Sequence, residues 1–252
     1  MMINARKYFP LLLVSGILSF TACRSQQQLA TVTPSYTVIE AKTSPESPEM
    51  EVRLSTYRDQ LSEKMNVIVG HTDEPMSKGR PESKLGNLIS DIILDRAIEQ
   101  SGLEVDYAIQ NLGGIRIPTL GAGDIRKGLM YEIMPFDNEI VIVRLKGDQV
   151  IRLMERIAAE GGVPVSHGVQ MTIIDKKIGN LLIKGNTVQP EKEYLVAVND
   201  FMANGGDNYV ELVEAPKILT GVLVRDAMTD YFLRMQAQGK SVTAKLERRI
   251  TD

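Results

Sequence analysis

Apolar positions along this chain fall into short β-branched runs separated by stripes of helical period. Met50, Leu54, Tyr57, Leu61 and Met65 recur at helical spacing with Glu and Arg between them, which predicts an amphipathic leading helix over residues 50–65 whose stripe makes core contact. Residues 66–70 then read as a strand and 71–81 as a loop. Ser83 precedes a run in which Leu85, Leu88, Ile89, Ile92 and Ile93 fall at i, i+3, i+4, i+7 and i+8, the spacing of a helix with a serine N-cap. A second helix is predicted after Gly147-Asp148, with Val150, Leu153, Met154 and Ile157 on one side and Gly161-Gly162 as its stop. Val224, Ala227, Met228, Tyr231, Phe232 and Met235 mark a third.

Between the helices, residues 105–109 and 194–198 are apolar and β-branched runs of strand length, and residues 140–145 read as a strand of alternating pattern. Residues 169–174 and 181–183 form a strand pair joined by Lys176-Lys177 and a glycine turn. No internal repeat is present. The alternation of strands, hairpins and helices predicts an α+β domain, a mixed β-sheet with flanking helices.

Composition narrows the picture to one sizeable domain with appendages: 252 residues, 43% hydrophobic and 24% charged. Residues 1–22 read as a leader, with Arg6 and Lys7 before an apolar stretch at 11–20 that is too short to span a bilayer comfortably. The leader ends in small residues before Cys23, the only cysteine in the chain, and resembles a bacterial lipoprotein signal. Cleavage there and lipidation of Cys23 would anchor the protein to a membrane of the bacterial cell envelope, at the periplasmic face or the outer membrane. Residues 23–49, rich in Gln, Ser, Thr and Pro, read as a flexible tether, and residues 66–252 as the main domain. The net charge of −3 becomes −5 once Arg6 and Lys7 are removed with the leader. Such a balance excludes the basic surface that a nucleic acid polymer requires.

Candidate chemistry concentrates in loops behind strands. Asn199-Asp200-Phe201-Met202-Ala203-Asn204-Gly205-Gly206-Asp207-Asn208-Tyr209 follows the run at 194–198 and joins an aromatic, a double glycine and a carboxylate. By itself this reads as a tight turn with a solvated Asp207. Asn111-Leu112-Gly113-Gly114-Ile115-Arg116 follows the run at 105–109 in the same way, and Met134-Pro135-Phe136-Asp137-Asn138-Glu139 supplies a second aromatic. Two such loops point to one site.

In order and spacing these three stretches resemble the substrate-binding C-terminal domain of the 5′-nucleotidase family, whose usual pattern is Asn-Gly-Gly-Gly-Ile-Arg, Pro-Phe-Gly-Asn and Asn-x-Phe-x-Ala-x-Gly-Gly-Asp. The resemblance runs from about residue 66 to about residue 238 and departs from the pattern at Leu112 and Asp137. It implies that Phe136 and Phe201 sandwich a base, that Asn111 bonds the base edge, that Asp207 accepts from ribose hydroxyls and that Arg116 pairs with a phosphate. It further implies that Gly113, Gly114, Gly205 and Gly206 admit close backbone approach, that Gly168 lines the base pocket, and that Arg80, before a Leu-Gly-Asn-Leu helix, reaches the substrate. His167 reads as a solvated loop histidine.

A 5′-nucleotidase needs a two-metal site built from several His, Asp and Asn ligands. This chain has two histidines, His71 and His167, in separate loops with no ligand pattern beside either. No cofactor is therefore expected here, and divalent metals are expected only in a partner chain. The leading expectation is the nucleoside or nucleoside monophosphate recognition half of a split 5′-nucleotidase, acting with a separate metallophosphatase subunit. A non-catalytic nucleoside-binding lipoprotein and a structural lipoprotein with a vestigial pocket are the alternatives. Leu112, which would narrow the loop, and Asp137, which would oppose phosphate, favour those two.

Overall fold

A computed structural model describes residues 35–36 and 47–252. The leader, Cys23 and most of the tether lie outside the described residues, and residues 52–252 form one compact unit.

A four-stranded mixed sheet occupies the centre, in the order β11 (Lys217–Leu223), β6 (Glu139–Lys146), β10 (Glu193–Asn199), β3 (Tyr107–Ala108). β6 runs antiparallel to both β10 and β11, and β10 runs parallel to β3. Residues 140–143 of β6 are all buried because both faces of the sheet are covered. On one face Val141, Val143 and Leu145 pack with Val150, Leu153, Met154 and Ile157 of the helix Gly147–Ala159 and with the β7 (Val169–Ile174) and β8 (Lys177–Ile183) hairpin. On the other, Ile140, Ile142 and Ala197 pack with Leu85, Leu88, Ile89, Ile92 and Ile93 of the helix Lys84–Ser101 and with Val224, Ala227, Met228 and Phe232 of the helix Val224–Ala237. The period-2 alternation of side chains thus feeds two cores from one strand. The mixed sheet flanked by helices is the expected α+β architecture.

Local signals hold at several boundaries. Ser83 caps its helix by accepting from the Gly86 N–H at 3.3 Å, and Gly161 and Gly162, at φ 81° and 95°, follow the helix that ends at Ala159. The hairpin turn differs from expectation: Asp175 and Lys176 take the positive φ values, 51° and 61°, while Lys177 and Gly179 already belong to β8. Two consecutive left-handed residues match the strand twist, so no glycine is needed there. The first strand is Ile68–Thr72, paired with Gly123–Arg126, and His71 lies in it rather than in a loop.

The leading helix is the main correction. It forms, as Pro48–Met65, but none of its residues is buried, and Met50, Leu54, Tyr57 and Leu61 are exposed. Periodicity records that one side of a helix is apolar and not what covers that side.

Candidate functional site

All three loops meet at one end of the central sheet, for a topological reason. Parallel β3 and β10 finish at the same end, and antiparallel β6 begins there. Gln110 and Asn111 therefore follow β3, Phe136 and Asn138 precede β6, and Asp200 to Asp207 follow β10, around a cavity of about 200 Å³. Its lining is Asn111, Gly113, Gly114, Arg116, Phe136, Asn138, Phe201 and Asp207.

Phe136 and Phe201 each remain 45% exposed, which is unusual for two rings beside a fully formed core and fits faces kept available for a flat ligand. Each is held from behind. A Cβ on Gly206 would collide with the Phe201 ring, so this glycine makes room for the aromatic. The Phe136 loop is clamped by Arg225 at the start of the last long helix, whose Nη1 donates to the carbonyls of Met134, Pro135 and Phe136, each at 3.3 Å. Asn138 ties the two aromatic segments together: its Nδ2 donates to Asp200 Oδ1 at 2.7 Å, and the same oxygen accepts from the Phe201 N–H at 2.8 Å.

The polar groups are oriented as firmly. Arg116 donates to the Gly113 carbonyl at 3.2 Å and stands 5.6 Å from the centre of the Phe136 ring, a cation–π placement that leaves an exposed guanidinium at the mouth. Asp207 and Asn208 adopt left-handed backbone at φ 52° and 64°, and Asn111 Nδ2 donates to Asp207 Oδ2 at 2.7 Å. Tyr209, next in the chain, is buried. Burial, reinforced by Glu160, pushes its phenol well above the usual tyrosine range, so it anchors the loop as a neutral group.

Seven of the sequence-derived residues, Asn111, Gly113, Gly114, Arg116, Phe136, Phe201 and Asp207, thus converge. Four do not line the cavity. Gly205, at φ 88°, backs onto Val213, and Gly206 supports Phe201. Gly168 lines a separate concavity with His167 and Lys184. Arg80 donates to the Gly162 carbonyl and pairs with Glu160 at 3.4 Å. His167, half exposed, bonds Asp91.

The two departures from the motif also resolve. Asp137 is paired with Arg225 and does not face the cavity, and Leu112, in the turn Leu112–Gly114, does not line it. Sequence reasoning gave no role to Asn138 and Asn199, although both stand inside quoted motifs, and missed Gln110 and Arg225, which have no local signature. Among the described residues, no group of three or more His, Cys, Asp or Glu is placed to hold a metal ion.

Two half-exposed rings, an exposed guanidinium and an oriented carboxylate thus line one cleft. The chain belongs to the 5′-nucleotidase C-terminal domain family, whose model matches residues 68–214. It is 28% identical over 207 residues to protein UshA of Escherichia coli, covering 78% of this chain and 36% of that protein. To the trifunctional nucleotide phosphoesterase protein YfkN of Bacillus subtilis it is 29% identical over 228 residues, 82% of this chain and 15% of that one. The crystal structure of a 5′-nucleotidase precursor from Thermus thermophilus superposes with a TM-score of 0.67 at 27% identity, over 83% of this chain and 44% of the other. The chain therefore spans less than half the length of each of these three proteins.

Proposed function

We propose that this chain is the nucleoside or nucleoside monophosphate recognition module of a split 5′-nucleotidase whose metallophosphatase is a separate chain. The observation that carries the reading is the pair of half-exposed rings, Phe136 and Phe201, on one cleft with Arg116 and Asp207. A base stacked between the rings gains roughly 1–3 kcal/mol by contact, Asp207 accepts from the sugar, and Arg116 pairs with a phosphate beside it. Recognition of a nucleotide is the part of a 5′-nucleotidase that such a cleft can perform. Hydrolysis needs metal-activated water, for which the described residues offer no ligand cluster. The expected assay result is no phosphate release from adenosine monophosphate by the purified full chain with Zn²⁺, Mn²⁺ or Mg²⁺, and release once a metallophosphatase chain lacking this domain is added. Metal-dependent turnover by this chain alone would overturn the division of labour.

The same reading places the protein on the bacterial cell envelope through a lipid on Cys23. Its support is the leader with a lone cysteine at its end. Cys23→Ser is expected to leave the precursor unacylated and to move it from the membrane to the soluble fraction. Retention of that variant on the membrane would show another anchor.

A further inference from the structure

Resting on the nucleoside reading, we propose that Gln110 and Asn199, neither of which lines the cleft, are positioning residues that lock the Asn111 amide in one sense. The cleft wall then presents only N–H donors from Asn111 beside the Asp207 carboxylate, and selects ligands by the hydroxyl donors of the sugar. Gln110, Asn111 and Asn199 are all buried, at 0%, 5% and 1% exposure, so each amide must satisfy its donors and acceptors within the network.

The direction of every bond follows from one fixed point. The backbone N–H of Met202 can only donate, and it meets Asn199 Oδ1 at 2.8 Å. That leaves Asn199 Nδ2 on the other side, where it reaches Gln110 Oε1 at 3.1 Å and Asn111 Oδ1 at 2.9 Å. With its oxygen so engaged, Gln110 turns Nε2 to Asn111 Oδ1 at 2.9 Å and to the Asn111 carbonyl at 3.2 Å. Both lone pairs of Asn111 Oδ1 are then taken. Its Nδ2 faces Asp207 Oδ2 at 2.7 Å, and because a carboxylate only accepts, the relay closes with donor meeting acceptor at each step. Gly114 makes the space for it: a Cβ there would sit 2.8 Å from Asn111 Oδ1 and collide with Gln110 Nε2. This glycine makes room for the network as well as lining the cleft.

Two consequences follow for the ligand. A group placed against Asn111 must be an acceptor, since an N–H or O–H there would meet an N–H. The Asp207 carboxylate, held by the amide, keeps its other oxygen, Oδ1, for a hydroxyl.

The test is a set of calorimetric titrations of the full chain in detergent with adenosine and 2′,3′-dideoxyadenosine, for the wild type, Gln110→Met and Asn199→Asp. A hydroxyl bonded to a carboxylate corresponds to a preference of roughly 10- to 100-fold for adenosine in the wild type. Each variant removes a donor to Asn111 Oδ1 and so loosens the amide whose Nδ2 holds Asp207. The expected outcome is that adenosine preference falls to within about threefold while dideoxyadenosine, carried by the rings, binds as before. If the residues only stabilise the fold, melting temperatures drop but the preference ratio persists, which overturns the relay. Should Asn199→Asp fail to fold, Gln110→Met, which leaves Asn199 on the Met202 N–H, decides by itself. A wild type that binds both ligands equally overturns the role of Asp207 and the relay together while leaving the ring cleft intact, and a wild type that binds neither overturns the nucleoside reading as well.

Discussion

Phe136 and Phe201 are aromatic side chains held only half buried beside a fully formed core. Phe232 is fully buried, whereas each cleft ring keeps nearly half its surface in solvent. Truncating a buried Phe removes about 3–5 kcal/mol, so Phe232→Ala is expected to lower the unliganded melting temperature sharply. Phe136→Ala and Phe201→Ala are expected to shift it little and to weaken adenosine by about one to two orders of magnitude. Melting curves beside calorimetric titrations separate the two effects, and unchanged adenosine affinity in a folded Phe201→Ala would end the case for a base sandwich. At this scale the motif residues were legible because each loop is contiguous in sequence. Arg225, whose Nη1 and Nη2 bond the Phe136 loop from 88 to 91 residues away, was not, since nothing near it in the chain records that contact.

Among elements, the leading helix and the helix Lys84–Ser101 carry the same kind of apolar stripe with opposite outcomes. In the second, ten residues are buried against the sheet and the Val224–Ala237 helix. In the first, none is. Leu54→Ala and Tyr57→Ala in the full chain are therefore expected to change the melting temperature of the domain by no more than a degree or two, roughly the ±0.5 kcal/mol usual for surface positions. Leu88→Ala should remove about 2–5 kcal/mol. Loss of several kcal/mol in either leading-helix variant would show that its stripe is covered after all. The hairpin gives the converse lesson, for the strands were readable from their alternation while the turn was displaced by a residue or two, because Asp and Lys at positive φ leave a weaker mark than glycine does.

For the molecule as a whole, the two cores joined through one sheet impose a pH dependence at its alkaline limit. Tyr107 on β3 is fully buried, and burial, with Asp106 and Tyr194 adding to it, pushes its phenol far above the ordinary tyrosine value. Below pH about 10 the phenol is protonated in folded and unfolded chains alike. Above it the unfolded chain releases a proton that the folded one retains, so stability falls as pH rises. Tyr209, raised in the same direction by burial, adds to the slope. The Tyr107 hydroxyl has no hydrogen-bond partner among the described residues, and leaving a buried donor unpaired costs about 1–3 kcal/mol. Tyr107→Phe is accordingly expected to melt higher at neutral pH and to lose less stability between pH 9 and pH 11, as followed by thermal melts across that range. A variant that melts lower at pH 7 would mean that the hydroxyl is satisfied.

Period and punctuation in the sequence determined the element types and the three motifs that place the chain in its family, because each is recorded in neighbouring residues. Tertiary structure alone decided that the leading helix faces solvent, that Arg80 and Gly168 stand away from the cleft, that Gly114 and Gly206 make room for side chains, and that Asn111 turns its amide nitrogen to Asp207. Each of these depends on contacts between segments far apart in the chain. The sense of the Asn111 amide is set by a backbone N–H that lies 91 positions away, at Met202, and reaches it through the buried amide of Asn199, directly and by way of Gln110.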